Sequence, residues 1–429
     1  METRPVIVVG GGLAGLTATL QLARDGVPVV AVDGSGRLGG RARSTVRGGF
    51  ALNLGPHGLA LGGPGTAVLR RLGIELPGHS PAVHRAQLLV DGELVGPLQR
   101  RRGAGGLRTL AAIGRMAAET RHGDPEGSVR DWLERRIPDR RARATATVVA
   151  RLATYSDSLD EQGADVMAEA IRGGGVRYLD GGWGALVERL RRAALAAGAE
   201  LRTGAGVQQV RRAAAGGWEV VLRDGEVLDA AAVLVAVGGP ADVARLLTGQ
   251  ERQTVDGWAG RAAAVHMACL DVALAHRPAG HSLVLGVDEP LYLSVQSDHS
   301  RIAPAGGAVV QVARFLRIGE RAPADTRACL EALLDQVLPG WRDEVVHARY
   351  LPGLTVTNDG GLAANGGRRG RPGPEVPGAP GLYVAGDWVG TRGNLSQASL
   401  VSASSAATAI AQRRAAGTTA RRQQEEQAA

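Results

Sequence analysis

Val6-Ile7-Val8-Val9-Gly10-Gly11-Gly12-Leu13-Ala14-Gly15 opens the chain and decides its fold class. Four consecutive apolar, β-branched residues read as a strand buried on both faces, the pattern of a parallel sheet. Leu13, Leu16, Leu20 and Ala23 then recur at helical spacing up to Arg24, Gly26 stops the helix, and Val27 to Val32 reads as a second strand. The result is a βαβ unit with Gly10, Gly12 and Gly15 at its first turn. That spacing lets one glycine make the tight turn, one admit a pyrophosphate close to the backbone, and one bring helix and strand together. Leu13 and Ala14 start the helix, and its unpaired amides and dipole favour phosphate. Asp33 ends the second strand, about 20 residues on, where an acid reaches an adenosine ribose. Strand, helix and acid in register point to a dinucleotide.

Outward from this unit, a second block begins at Tyr178-Leu179-Asp180-Gly181-Gly182-Trp183 and continues as a helix to about Ala197. Strands follow near 200–203, 206–211 and 218–223, then an Asp224-Gly225 hairpin signal and a buried strand at 231–237. Gly238-Gly239-Pro240 reads as a break. A third block, Gly381 to Gly386, enters a helix from about Ser396 to Arg413, and the polar tail 417–429 reads as disordered. The segment 77–179 is arginine-rich and reads as helical, whereas 251–371 alternates as an antiparallel sheet does. The fold expected is α/β: a discontinuous Rossmann-type domain of 1–76, 180–250 and 372–416, with an inserted α+β substrate domain of 77–179 and 251–371.

The 50 basic residues are all arginine, Gly stands at 63 and aromatics at 3%, a bias that GC-rich codons explain. The net charge of +8 is spread among acids, without the clustered basic and aromatic pattern of a nucleic-acid binder. Two cysteines without close spacing argue against a disulfide framework and for a reducing compartment. No apolar run reaches the ~18 residues of a membrane span, and the N-terminus lacks the regions of a signal peptide. A cytoplasmic protein is expected. Leu107, Leu110 and Ile113 oppose Arg108 and Arg115 within 106–120, a stretch expected to touch membrane surfaces as a basic amphipathic helix; a core-packed helix is the alternative.

After Asp33 come Arg37-Leu38-Gly39-Gly40-Arg41 and Ser44, where glycines wrap and arginines neutralise a pyrophosphate. Near the other end stand Leu382-Tyr383-Val384-Ala385-Gly386-Asp387-Trp388. These stretches resemble the flavoprotein superfamily of amine oxidases, protoporphyrinogen oxidases and phytoene desaturases, and by texture its desaturase-like branch. The resemblance implies FAD, held non-covalently because the usual cysteine tether has no counterpart. It implies that Gly55, Pro56 and His57 approach the flavin ring and that Val207 lies against adenine. Gly386 and Asp387 would reach ribityl or phosphate groups. Leu395 and Ser396 would begin the terminal flavin-binding helix, whose positive end favours the reduced flavin.

The lysine that many amine oxidases of this family place near flavin N5 has no counterpart in a lysine-free chain. No second G-x-G-x-x-G opens a helix, so NAD(P)H is not expected. No metal site is expected, since His266 with Cys269 and His276 with His281 lack further ligands. His57 is the candidate acid–base or orienting group, against a loop histidine bonded to backbone. Trp388 is a candidate for the cavity wall, while Trp183 and Tyr292 read as core. The function expected is hydride transfer from a C–H bond of an apolar, isoprenoid- or carotenoid-like molecule, with reoxidation by oxygen or a quinone. Alternatives are oxidation of an amine or a porphyrinogen-type ring, a redox-neutral flavin isomerase, and a flavin-binding partner protein without turnover. The sequence leaves the oligomeric state open.

Overall fold

The computed structural model describes residues 4–96, 118 and 125–428, with 417–428 as backbone only. The strand Val6–Val9 sits at the centre of a five-stranded sheet whose order is Glu200–Thr203, Val29–Asp33, Val6–Val9, Ala232–Val235 and Leu382–Val384. Every pairing is parallel, with Val6 opposite Val29 on one side and Ala232 on the other. Parallel neighbours require crossovers, which explains why segments so distant in the chain meet here.

One face of this sheet carries the helices Leu13–Arg24, Gly182–Ala196 and the helix from Ser396, packed through Leu16, Leu20, Leu186, Leu190, Ala403 and Ala406. The other face is covered by an antiparallel sheet of Val207–Arg212, Trp218–Leu222 and Val227–Ala230. Trp218 and Val220 pack there against Ile7 and Val9. Alternate residues of Val6–Val9 thus serve the two layers, as strand geometry dictates.

A second sheet has seven strands, in the order Val345–Thr357, Val265–Leu274, Ala308–Phe315, Leu291–Val295, Leu283–Gly286, Gln87–Val90 and Glu93–Val95. All its pairings are antiparallel except that of Leu283–Gly286 with Gln87–Val90. The helix Thr326–Val337 closes one face through Leu330, Leu334 and Val337. Helices Val129–Arg136, Arg140–Thr154 and Ala164–Arg172 form a separate cluster around Trp132 and Met167.

Two sequence expectations change. The segment read as helical contributes the hairpin 87–95, because Asp91 and Gly92, at φ 51° and 79°, make a tight turn between two apolar runs. Gly238-Gly239-Pro240 follows the end of the strand Ala232–Val235 as expected, and Pro240 then opens a short helix, Pro240–Ala244, since proline suits a first helical position. The terminal helix runs to Ala428 instead of ending near Arg413, so the expected disorder from 417 gives way to helix. Its Ala, Gln, Glu and Arg are good helix formers, and Gly417 alone does not stop it. The amphipathic stretch 106–120 lies outside the described residues except for 118. Among the described residues, no helix is long and apolar enough to cross a membrane.

Candidate active site

A cavity of about 940 Å³ opens at the carboxyl ends of the parallel strands and runs against the seven-stranded sheet. This is where open α/β sheets bind ligands. Of the residues singled out above, Gly10, Gly12, Leu13, Ala14, Asp33, Gly39, Gly40 and Arg41 stand in its wall, with Pro56, His57, Gly386, Asp387, Leu395 and Ser396. Gly15, Arg37, Gly55 and Val207 do not. Gly15 is nonetheless explained: a Cβ there would lie 1.8 Å from the Gly10 carbonyl oxygen, so only glycine lets helix and turn pack. Val207 sits in the core between the two sheets of the first domain. Gly55 lies behind the wall, where its amide donates to Asp271 and its carbonyl accepts from Gln311 at 2.7 Å.

The glycine-loop end fits a dinucleotide. Nothing lies within 4 Å of a Cβ built on Gly12, so a side chain there would fill the space a phosphate needs. Gly12 caps the helix Leu13–Arg24 without a side-chain bond, which leaves the first amides free for an anion. The Asp33 carboxylate accepts from the amides of Gly11 at 2.6 Å and Ser35 at 2.7 Å, while still facing the cavity. It therefore fastens the loop as well as offering an acceptor to a ribose.

Across the cavity, Arg41 pairs with Asp387 at 2.7 Å and donates to the Val356 carbonyl at 3.2 Å. Asp387 also accepts from the Asn358 amide and side chain. Burial alone would raise the Asp387 carboxyl, but Arg41 and Asn358 outweigh it and hold the pKa below its ordinary value. Gly386 is tied to the terminal helix through Ser402, whose hydroxyl both accepts from its amide and donates to its carbonyl. Leu395 adopts φ 53°, a strained region for a branched side chain. The segment just before it is pinned, since Arg368 donates to the Thr391 carbonyl and Arg371 to the Gly393 carbonyl.

His57 stands in the wall with its Nδ1 3.1 Å from the Gly55 carbonyl and its ring edge-on to Trp183 at 5.0 Å. Burial pushes its pKa below the ordinary value, against the pull of the Gly55 and Arg41 backbone. A carbonyl only accepts, so the tautomer with the proton on Nδ1 is the one that bonds the Gly55 carbonyl. Trp183, read as core, is also in the wall, whereas Trp388 is not: it is buried against Trp258 at 6.0 Å. Tyr292 is core, bonded to Tyr178.

Sequence reasoning missed Asp242, Asn358, Tyr155, Met267, Leu351 and Leu354, all of which line the cavity. Asp242 had a local signal, since it caps the helix that Pro240 opens by accepting from the Gly239 amide. The others come from the two insertions and carry no motif.

A model of the flavin containing amine oxidoreductases matches residues 13–411, and the chain belongs to that family. It is an FAD-dependent oxidoreductase. No curated protein matches the sequence. Among solved structures, an oxidoreductase from Methanosarcina mazei is 20% identical, with 94% of this chain and 99% of that one covered and a TM-score of 0.72. Cyclohexylamine oxidase from Brevibacterium oxydans is 14% identical, with 96% and 99% covered and a TM-score of 0.69. Putrescine oxidase, solved with putrescine bound, is 16% identical, with 95% and 98% covered and the same TM-score of 0.69. At these identities the likeness concerns the fold.

Proposed function

We propose that this flavoenzyme removes hydride from a C–H bond of an uncharged, largely apolar small molecule. The observation that carries this reading is the composition of the cavity end away from the glycine loop. Leu54, Met267, Leu351 and Leu354 stand there with the ring of Tyr155, and no carboxylate joins them among the described residues. The three wall carboxylates are engaged elsewhere: Asp33 with its loop, Asp242 with Gly239 and Arg245, Asp387 with Arg41 and Asn358. A substrate ammonium would find no free partner, and desolvating it without one is costly. An isoprenoid, or one segment of a longer polyene, suits such a surface.

FAD, when bound, supplies the hydride acceptor. The Gly12 turn and the amides of Leu13 and Ala14 would hold its pyrophosphate, and Asp33 its ribose. Arg41, Asp387, Leu395 and Ser396 would lie along the ribityl and flavin side, without a covalent tether. His57 is neutral and held by backbone, and so orients the wall beside the ring. Anaerobic mixing tests the reading: apolar isoprenoid alcohols and polyenes should bleach the flavin and yield products two mass units lighter. Aliphatic amines and NADPH should not. Fast, saturable bleaching by amines alone would replace this reading with amine oxidation.

A further inference from the structure

Tyr155 caps the helix Arg140–Thr154 at φ 56° and ψ 30°. Helices commonly give this left-handed position to glycine, and a bulky residue in it is held by its surroundings. Here it sets a tyrosine in the cavity wall. The ring packs edge-on against buried Phe315, with centroids 6.2 Å apart and planes at 87°. Phe315 leans in turn on Tyr292 at 6.3 Å, so the aromatic stack is backed by the sheet. The Tyr292 hydroxyl is bonded to Tyr178 at 3.0 Å, whereas that of Tyr155 has no protein partner among the described residues. Burial raises the phenol's pKa, so the group remains a neutral O–H donor.

Beside Met267, Leu351, Leu354 and Val356, the hydroxyls near this ring are those of Tyr178 and Tyr292, already bonded to each other at 3.0 Å, and that of Thr355 on the wall. Water can satisfy the phenol while the cavity is open. When an apolar ligand displaces that water, an acceptor oxygen on the ligand can take its place. We infer that Tyr155 selects substrates with a neutral acceptor oxygen, such as a carbonyl, on an otherwise apolar skeleton, by donating its phenolic hydrogen to that oxygen. The inference rests on the apolar-substrate reading and names the polar feature such a substrate carries. A site built around a donor rejects the analogue lacking the acceptor more strongly than an apolar pocket rejects a missing methylene.

The test uses two rigid bicyclic probes, α-tetralone and its deoxygenated counterpart tetralin, titrated into oxidised FAD-loaded protein. Binding is followed by calorimetry and by displacement of the flavin visible band. Wild type should bind tetralone about tenfold more tightly than tetralin. Tyr155→Phe keeps the ring and its packing on Phe315 but removes the donor. It should lose that discrimination, chiefly by weaker binding of tetralone, with tetralin held as well as before or slightly better. If tetralin binds and Tyr155→Phe still prefers tetralone tenfold, the inference about Tyr155 is overturned and the apolar reading stands. If neither probe binds wild type while amines do, the apolar reading itself fails and takes the inference with it.

Discussion

Replacing Asp271 by alanine tests whether the seven-stranded sheet holds the cavity loop in place. Asp271 is 0% exposed, and its register partners on the adjacent strands are Gln311 and Arg349. It accepts from Arg349 at 2.6 Å and from the Gly55 amide at 3.2 Å, while Gln311 donates to the Gly55 carbonyl and Arg349 also donates to the Asn53 carbonyl. Gly55 is thus gripped from both sides, one residue from the wall residues Leu54 and Pro56. Alanine strands the Arg349 guanidinium, and breaking a buried pair costs about 3–5 kcal/mol. Arg349 keeps 21% exposure, which places its share near the lower limit. The lost bond to Gly55 adds about 1 kcal/mol, for a total of about 4 kcal/mol. Arg349→Met leaves a carboxyl that can respond by taking up a proton, since burial already raises its pKa. A raised carboxyl pKa contributes stability at low pH that is lost as pH rises through it. Arg349→Met should therefore be better tolerated at pH 5 than at pH 8. The double variant strands no charge and should be more stable than Asp271→Ala alone, with a coupling of about 2 kcal/mol. Urea unfolding at saturating FAD, followed by tryptophan fluorescence, gives the energies, and visible circular dichroism of the flavin reports the loop. Strict additivity of the two changes, or an Asp271→Ala protein within about 1 kcal/mol of wild type, would refute the clamp.

Asp33→Ala removes the acceptor for two loop amides as well as the proposed ribose contact, each a charge-assisted bond of about 1.5–3 kcal/mol, so FAD should bind at least tenfold more weakly. Arg41→Ala should weaken FAD similarly, and flavin retained on gel filtration measures both; full retention in both variants would remove the assignment. Because Arg41 and Asn358 depress the Asp387 carboxyl, it contributes stability above the ordinary carboxylate range that is lost as pH falls through its depressed value. Without Arg41 that acid-linked loss disappears, so the stability deficit of Arg41→Ala against wild type should be larger at neutral pH than in acid. The lowered pKa of His57 gives stability that is complete above about pH 6.5 and falls as the solution is acidified below that value. His57→Gln should flatten the melting temperature between pH 7.5 and 5, and an unchanged pH slope would count against a buried neutral imidazole.

Legibility in the sequence followed the range of the interactions. The strand Val6–Val9, its glycines and Asp33 lie within one βαβ unit, where periodicity and turn chemistry report structure directly. The Asp91-Gly92 turn carried an equally local signal, obscured by the arginine-rich texture of the residues that follow it. Gly238-Gly239-Pro240 carries two local signals, the end of the strand before it and the start of the short helix that Pro240 opens. Asp271, Gln311 and Arg349 could not have been grouped: they stand in one row only because three strands from distant segments pair in a particular register.

The cavity's two ends differ in the same way, and this bears on what each says about function. Its nucleotide end is built from backbone amides, glycines and carboxylates fixed within a few residues of one another, so its chemistry is written in short motifs. Its other end is assembled from Leu54, Tyr155, Met267, Leu351 and Leu354, which four separate elements and loops bring together. Substitution there alters shape and polarity without disturbing the glycine turn or the Arg41–Asp387 pair. The fold and cofactor can therefore stay constant while the substrate changes, and the amines named for the structural neighbours need not be oxidised here. On the proposed reading, side chains at the apolar end carry the specificity, and among the described ones Tyr155 combines a strained backbone and a ring held against Phe315 with a hydroxyl facing no hydrogen-bond partner.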